Sequence, residues 1–110
     1  MAESAELLQG TLEMLALKAL SLEPMHGWGI GQRIGQLSGG VFAVNQGSLY
    51  PALQRMVRKG WITSVWRTSE HNRRARFYHL TAAGRRRLDH ETATWNRTVA
   101  AVAEILANPA

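Results

Sequence analysis

The chain of 110 residues is long enough for one domain with a single core and leaves little room for a second. Apolar residues make up 45% of it, which argues for a folded protein, and the absence of cysteine excludes disulfides, thiol catalysis and cysteine-ligated zinc. The net charge of +5 is unevenly spread: residues 1–45 carry −2, residues 46–87 carry +9 and residues 88–110 carry −2. A basic block between mildly acidic flanks fits a surface built for a polyanion; a solvated face that maintains solubility is the plainer reading.

No apolar run is long enough to span a bilayer, because Glu13, Lys18 and Ser21 interrupt residues 12–22. Glu3 and Glu6 stand where a secretory leader needs positive charge, so a cytosolic location is the default expectation.

In chain order, residues 6–22 are predicted as a first helix. Leu8, Leu12, Leu15, Ala19 and Leu22 recur at helical spacing, with Leu7 and Met14 alongside, and Pro24 closes the segment. Residues 26–37 are predicted as a short second helix with the stripe Ile30, Ile34 and Leu37. Gly27, Gly29, Gly31 and Gly35 weaken it, by roughly 1 kcal/mol each at interior positions. It therefore needs support from packing, or its neighbours must come close. Residues 38–40 break the chain.

A third helix is predicted over residues 46–59, ended by Gly60. Leu49, Leu53 and Met56 fall on one face, while Gln54, Arg55 and Arg58 point the other way. Asn45 and Ser48 are candidate caps, and Pro51, having no N–H, is expected in the first turn or next to it. Residues 61–67 and 75–80 are rich in aromatic and β-branched side chains around a polar link, which predicts a β-hairpin with a basic tip. Thr81 can cap a last helix running to about residue 107. In it Leu88, Thr92, Trp95, Val99, Val102 and Leu106 are spaced 4-3-4-3-4, a heptad seam with one polar member.

The expected class is mainly α with a small β-hairpin (α+β): a winged helix-turn-helix over residues 1–80. Residues 81–110 form a C-terminal dimerisation helix of the same compact unit, to which the first helix also contributes. The third helix is slim enough for a major groove. The candidate DNA-binding residues are Gln46, Ser48, Tyr50, Gln54, Arg55 and Arg58 on that helix and Asn72, Arg73, Arg74 and Arg76 at the hairpin. Gln46, Gly47 and Ser48 offer small and amide side chains plus free backbone N–H groups for a phosphate or a base edge. Tyr50 is equally a partly buried core residue or a phosphate donor. Arg85, Arg86 and Arg87 are either DNA contacts or decoration of the last helix. The heptad seam needs a partner, since so small a domain cannot bury it, and Leu88, Trp95, Val99, Val102 and Leu106 are assigned to a homodimer interface.

Four segments resemble the PadR family of bacterial repressors, specifically its short members with a single C-terminal helix. They are Gly10-Thr11-Leu12 with Leu15 and Leu17; His26 to Ile30; Gly47 to Leu53 through Gly60-Trp61-Ile62; and Arg76 to Gly84. The resemblance implies a dimer whose last helix packs on the partner protomer and which binds operators of inverted symmetry. It places the family's G-[ST]-L-Y-P motif on Gly47 to Pro51, at the groove-entering end of the helix, and its basic wing on Arg73, Arg74 and Arg76. Short members that sense flat aromatic compounds are similar in carrying a tryptophan at the position of Trp95, facing the first helix. A small aromatic effector would then lie among Leu7, Gly10, Met14, Trp95 and Val99, although Trp95 is also ordinary dimer core. With no carboxylate beside Trp95 on the seam, a neutral or weakly acidic compound is expected rather than a cationic one. Two departures from the family pattern, Val57 and Trp28, are expected to lie off the DNA face.

An enzyme is not expected: there is no glycine-rich phosphate loop, nucleophile motif or central carboxylate pair. His26, His71, His79 and His90 lack ligand-like spacing, so neither a metal site nor a cofactor is expected. The second function class is an interaction module that turns its basic face to an acidic protein or an RNA.

Overall fold

A computed structural model describes residues 9–68 and 70–109. The order is α1 (Gln9–Leu22), β1 (Met25–His26), α2 (Gly27–Leu37), α3 (Gln46–Arg58), β2 (Ile62–Thr68), β3 (Arg74–Leu80) and α4 (Ala82–Ala107). The expected elements are all present, within a residue or so of their predicted bounds except at the start of α1, where the predicted residues 6–8 lie outside the described residues. Leu7 and Leu8 lie outside the described residues.

The first helix is central rather than one-sided. Leu12, Glu13, Met14, Ala16, Leu17, Ala19 and Leu20 are buried because α2, α3, α4 and β3 pack around it. Of the predicted stripe, Leu15 is half-buried and packs on the edge of the core, and Leu22 is exposed. The rest of the core comes from Ile30 and Ile34 of α2, Leu49, Leu53 and Met56 of α3, Ile62, Tyr78 and Leu88.

Both helices of the helix-turn-helix end the same way. Gly39 (φ 63°) and Gly60 (φ 76°) adopt the left-handed conformation, which lets the chain fold back onto the last helical carbonyls. Gly40 N–H donates to Gly35 O at 2.9 Å, and Trp61 N–H donates to Met56 O at 3.0 Å. The starts are capped by side chains: His26 Nδ1 accepts from Gly29 N–H at 2.9 Å, and Asn45 Oδ1 accepts from Gly47 N–H at 2.7 Å. Pro51 is the sixth residue of α3, in the turn that follows the first.

The hairpin gains a third strand. β1 pairs antiparallel with β3 through Met25↔Tyr78 and His26↔Phe77, giving the order β1-β3-β2. Two residues carry no period-2 signal, so the sequence does not mark β1. On the inner sheet face lie Met25, Ile62 and Tyr78, all buried. Thr81 then joins β3 to α4. Its hydroxyl accepts from Gly84 N–H at 3.0 Å and donates to Gly60 O at 2.7 Å. Among the described residues no helix is long and apolar enough to cross a membrane.

Candidate nucleic-acid interface

The amphipathic pattern of α3 sets the site. Leu49, Ala52, Leu53 and Met56 face the core, so Ser48, Tyr50, Gln54 and Arg58 are turned to solvent. Beside this face the β2–β3 wing rises, and between the two runs a cleft of about 620 Å³. Tyr50 and Gln54 line it from α3; Arg73, Arg74 and Arg76 line it from the wing. His26, Gly27 and Trp28 close it at the start of α2, with Trp66, His71 and Tyr78 completing the wall. Burial pushes the Tyr78 phenol above its usual range, an effect that the nearby Arg76 charge partly opposes. Asn72, with φ 58°, sits at the wing tip outside the cleft lining; asparagine is among the few residues that tolerate that conformation.

Several residues are placed differently from expectation. Arg55 does not share the outward face with Gln54 and Arg58. It is half-buried and turned to α1, where its Nε donates to Glu13 Oε1 at 3.1 Å. Gln46 is half-buried too, with its amide over Gly31 of α2. The N–H groups at the start of α3 are not free: Asn45 takes Gly47 through its side chain, and Ser48 and Leu49 through its carbonyl, both at 3.0 Å. Trp28 lies in the cleft rather than away from it. Trp66 was not singled out in the sequence, although strand alternation from Ile62 puts it on the face of the wing that looks toward α3.

On α4 the seam divides. Leu88 is 6% exposed and belongs to the protomer's own core, because α4 lies against α1 at that level. It is therefore not a free interface residue. Trp95, Val99 and Val102 are about half exposed and Leu106 is 79% exposed, joined by Ile105. Thr92, the polar member, is exposed and donates its hydroxyl to Leu88 O of its own helix at 2.8 Å. A hollow of about 270 Å³ beside Trp95 is lined by Gly10, Thr11, Met14, Glu91, Thr94 and Thr98. Gly10 and Met14 are there as expected; Val99 does not line it, and Leu7 falls outside the described residues. Glu91 puts a carboxylate at the hollow, against the expectation of none, although it is ion-paired with Arg87.

A helix-turn-helix followed by a sheet wing, with both bordering one basic cleft, defines a winged helix-turn-helix protein. The profile of the "Transcriptional regulator PadR-like family" matches residues 16–90, and the chain belongs to that family, whose members are transcriptional regulators rather than enzymes. Among solved structures it is similar to a PadR-like transcriptional regulator from Bacillus cereus strain ATCC 14579, with 25% identity, a TM-score of 0.78, and 96% of this chain and 100% of that chain covered. A PadR family transcriptional regulator from Eggerthella lenta DSM 2243 is 27% identical, with a TM-score of 0.77 over 92% of this chain and 86% of that chain. The chain is also 40% identical over 79 residues to an uncharacterized 37.1 kDa protein in transposon TN4556 of Streptomyces fradiae. That match covers 72% of this chain and 21% of the relative, so the chain spans about a fifth of that protein's length.

Proposed function

We propose that the chain is a sequence-specific DNA-binding repressor that acts as a homodimer on an inverted-repeat operator. The observation that carries this reading is the shared cleft: Tyr50 and Gln54 of α3 and Arg73, Arg74 and Arg76 of the wing converge on one concave surface. Gln54 is an outward amide suited to a base edge in the major groove, while the wing guanidiniums suit phosphates of the adjoining backbone. Ser48 and Arg58, both exposed, extend the same helix face toward the backbone. Twofold pairing of α4 through Trp95, Val99, Val102 and Leu106 would present two such surfaces to half-sites about one helical turn apart, or a multiple of that.

The hollow beside Trp95 supports a regulatory site for a small planar aromatic compound at this dimer seam, stacking on the indole. Titration with planar aromatics should quench Trp95 fluorescence in the wild type and leave Trp95→Ala unchanged.

Binding to duplexes taken from upstream of the protein's own gene tests the main reading. One inverted repeat should be preferred over random duplex by roughly a thousandfold or more, with about one unit of log–log salt slope per phosphate contact. Arg73→Ala with Arg74→Ala should weaken binding to every duplex and flatten that slope. Equal binding to all duplexes would point to an architectural role, and binding only to RNA or acidic protein would replace the reading.

A further inference from the structure

Three wing arginines, Arg67, Arg74 and Arg76, lie over aromatic rings. Trp66 of β2 lies opposite Arg76 of β3 and diagonal to Arg74. Both guanidinium groups approach its indole, at 5.6 Å for Arg76 and 5.4 Å for Arg74 from the ring centroid. Arg67 uses the same device on the other sheet face, 4.6 Å from the Phe77 ring. Arginines outside the wing pair with carboxylates instead: Arg33 with Glu23, Arg55 with Glu13 and Arg87 with Glu91. Among the described residues no carboxylate forms an ion pair with Arg74 or Arg76.

This arrangement has a physical consequence. Arg74 and Arg76 project from the same strand face, about 7 Å apart along the chain, and repel each other. The negative face of a shared indole offsets that repulsion. A carboxylate would do so too, but it would occupy the in-plane N–H donors and would have to be displaced before a phosphate could bind. A guanidinium lying on an aromatic face keeps its forked donors available and loses less freedom on binding. Trp66 itself is 57% exposed, so core packing does not account for a tryptophan at this position.

We infer that Trp66 is a positioning residue of the wing, holding Arg74 and Arg76 in the cleft so that their donors meet backbone phosphates of duplex DNA. The inference rests on the DNA-binding reading. Because phosphates carry no sequence, Trp66 governs affinity and not base choice.

The test uses the full chain. Trp66→Leu should lower affinity for operator and for random duplex by the same factor, about three- to tenfold. The salt slope should be unchanged, since no charge is lost. Trp66→Tyr, which keeps an aromatic face, should restore most of the affinity. On an Arg74→Ala/Arg76→Ala background, Trp66→Leu should add nothing. In the free protein, NMR should show ring-current shifts of the Arg74 and Arg76 side chains that vanish in Trp66→Leu. Wild-type affinity in Trp66→Leu, a loss confined to the operator, or an undiminished effect without the two arginines overturns the inference while leaving DNA binding intact. Failure of the wild type to bind any duplex overturns the DNA reading and the inference with it, whatever the ring-current shifts show.

Discussion

Helix propensity alone argues that replacing Gly84 by alanine stabilises α4 by about 1 kcal/mol. The local geometry argues the reverse. A Cβ on Gly84 would stand 2.0 Å from the Trp61 carbonyl oxygen, a backbone atom fixed at the base of the wing. Gly84→Ala should therefore destabilise by roughly 2 kcal/mol or more, read as a lower thermal midpoint; a midpoint at or above wild type would show that α4 can lift away from the wing. A second test separates two arginines three positions apart on α3. Arg55 neutralises the buried Glu13 at 3.1 Å, whereas Arg58 is exposed. Arg55→Ala should cost roughly 1–3 kcal/mol of stability, because it strands a carboxylate in a partly dry site. Arg58→Ala should leave stability within about 0.5 kcal/mol and act only on DNA affinity. Denaturant titration and duplex binding on both variants read the two effects. The sequence could not divide these residues: both are arginines on the polar side of α3, and only the position of α1 shows which one meets an acid. Trp28 is similar. Its register on α2 says nothing about the wing that folds over it to close the cleft.

At the scale of elements, what the sequence made legible is what local chemistry fixes. Apolar spacing, the Asn45 cap and the Gly60 stop bound α3 to within a residue, and aromatic and β-branched runs marked both wing strands. What escaped it depends on pairing in space. β1 is two residues long and exists because Tyr78 and Phe77 of β3 offer an edge to Met25 and His26. Leu88 fits the α4 seam by spacing but is claimed by its own protomer, where α4 passes α1. At the junction between wing and α4 the Thr81 N–H donates to Trp61 O at 3.1 Å, and the Thr81 hydroxyl adds two further bonds. It accepts from Gly84 N–H and donates to Gly60 O, so it ties the start of α4 to the glycine that ends α3. Thr81→Val keeps the shape and loses both bonds; it should cost about 1–2 kcal/mol. Thr81→Ser should recover most of that. If valine and serine variants unfolded at the same denaturant concentration, the junction would be held by packing instead.

The whole molecule measures 58 Å along its longest axis, and α4, with 26 residues, accounts for about 39 Å of helix. Only its first half finds apolar cover within the protomer; Leu88 is its last buried side chain. Beyond that point Trp95, Val99, Val102, Ile105 and Leu106 expose a continuous apolar face of between 46% and 79% per residue. Such a face is unfavourable in water and suits a self-complementary twofold contact. Each half-exposed side chain that became buried would contribute roughly 1 kcal/mol, and a symmetric contact counts every one twice. On that reasoning the wild-type chain should be a dimer at micromolar concentration. Val102→Asp places a charge at the middle of the seam, where its image across the axis repels it. Because Val102 is about half exposed in the protomer, the fold itself should survive, with an unchanged circular dichroism spectrum. Sedimentation should then show a monomer, and operator affinity should fall steeply, since a single half-site retains only one cleft's contacts. A Val102→Asp protein that sedimented as a dimer and bound its operator normally would mean that this face of α4 is not what joins the two copies.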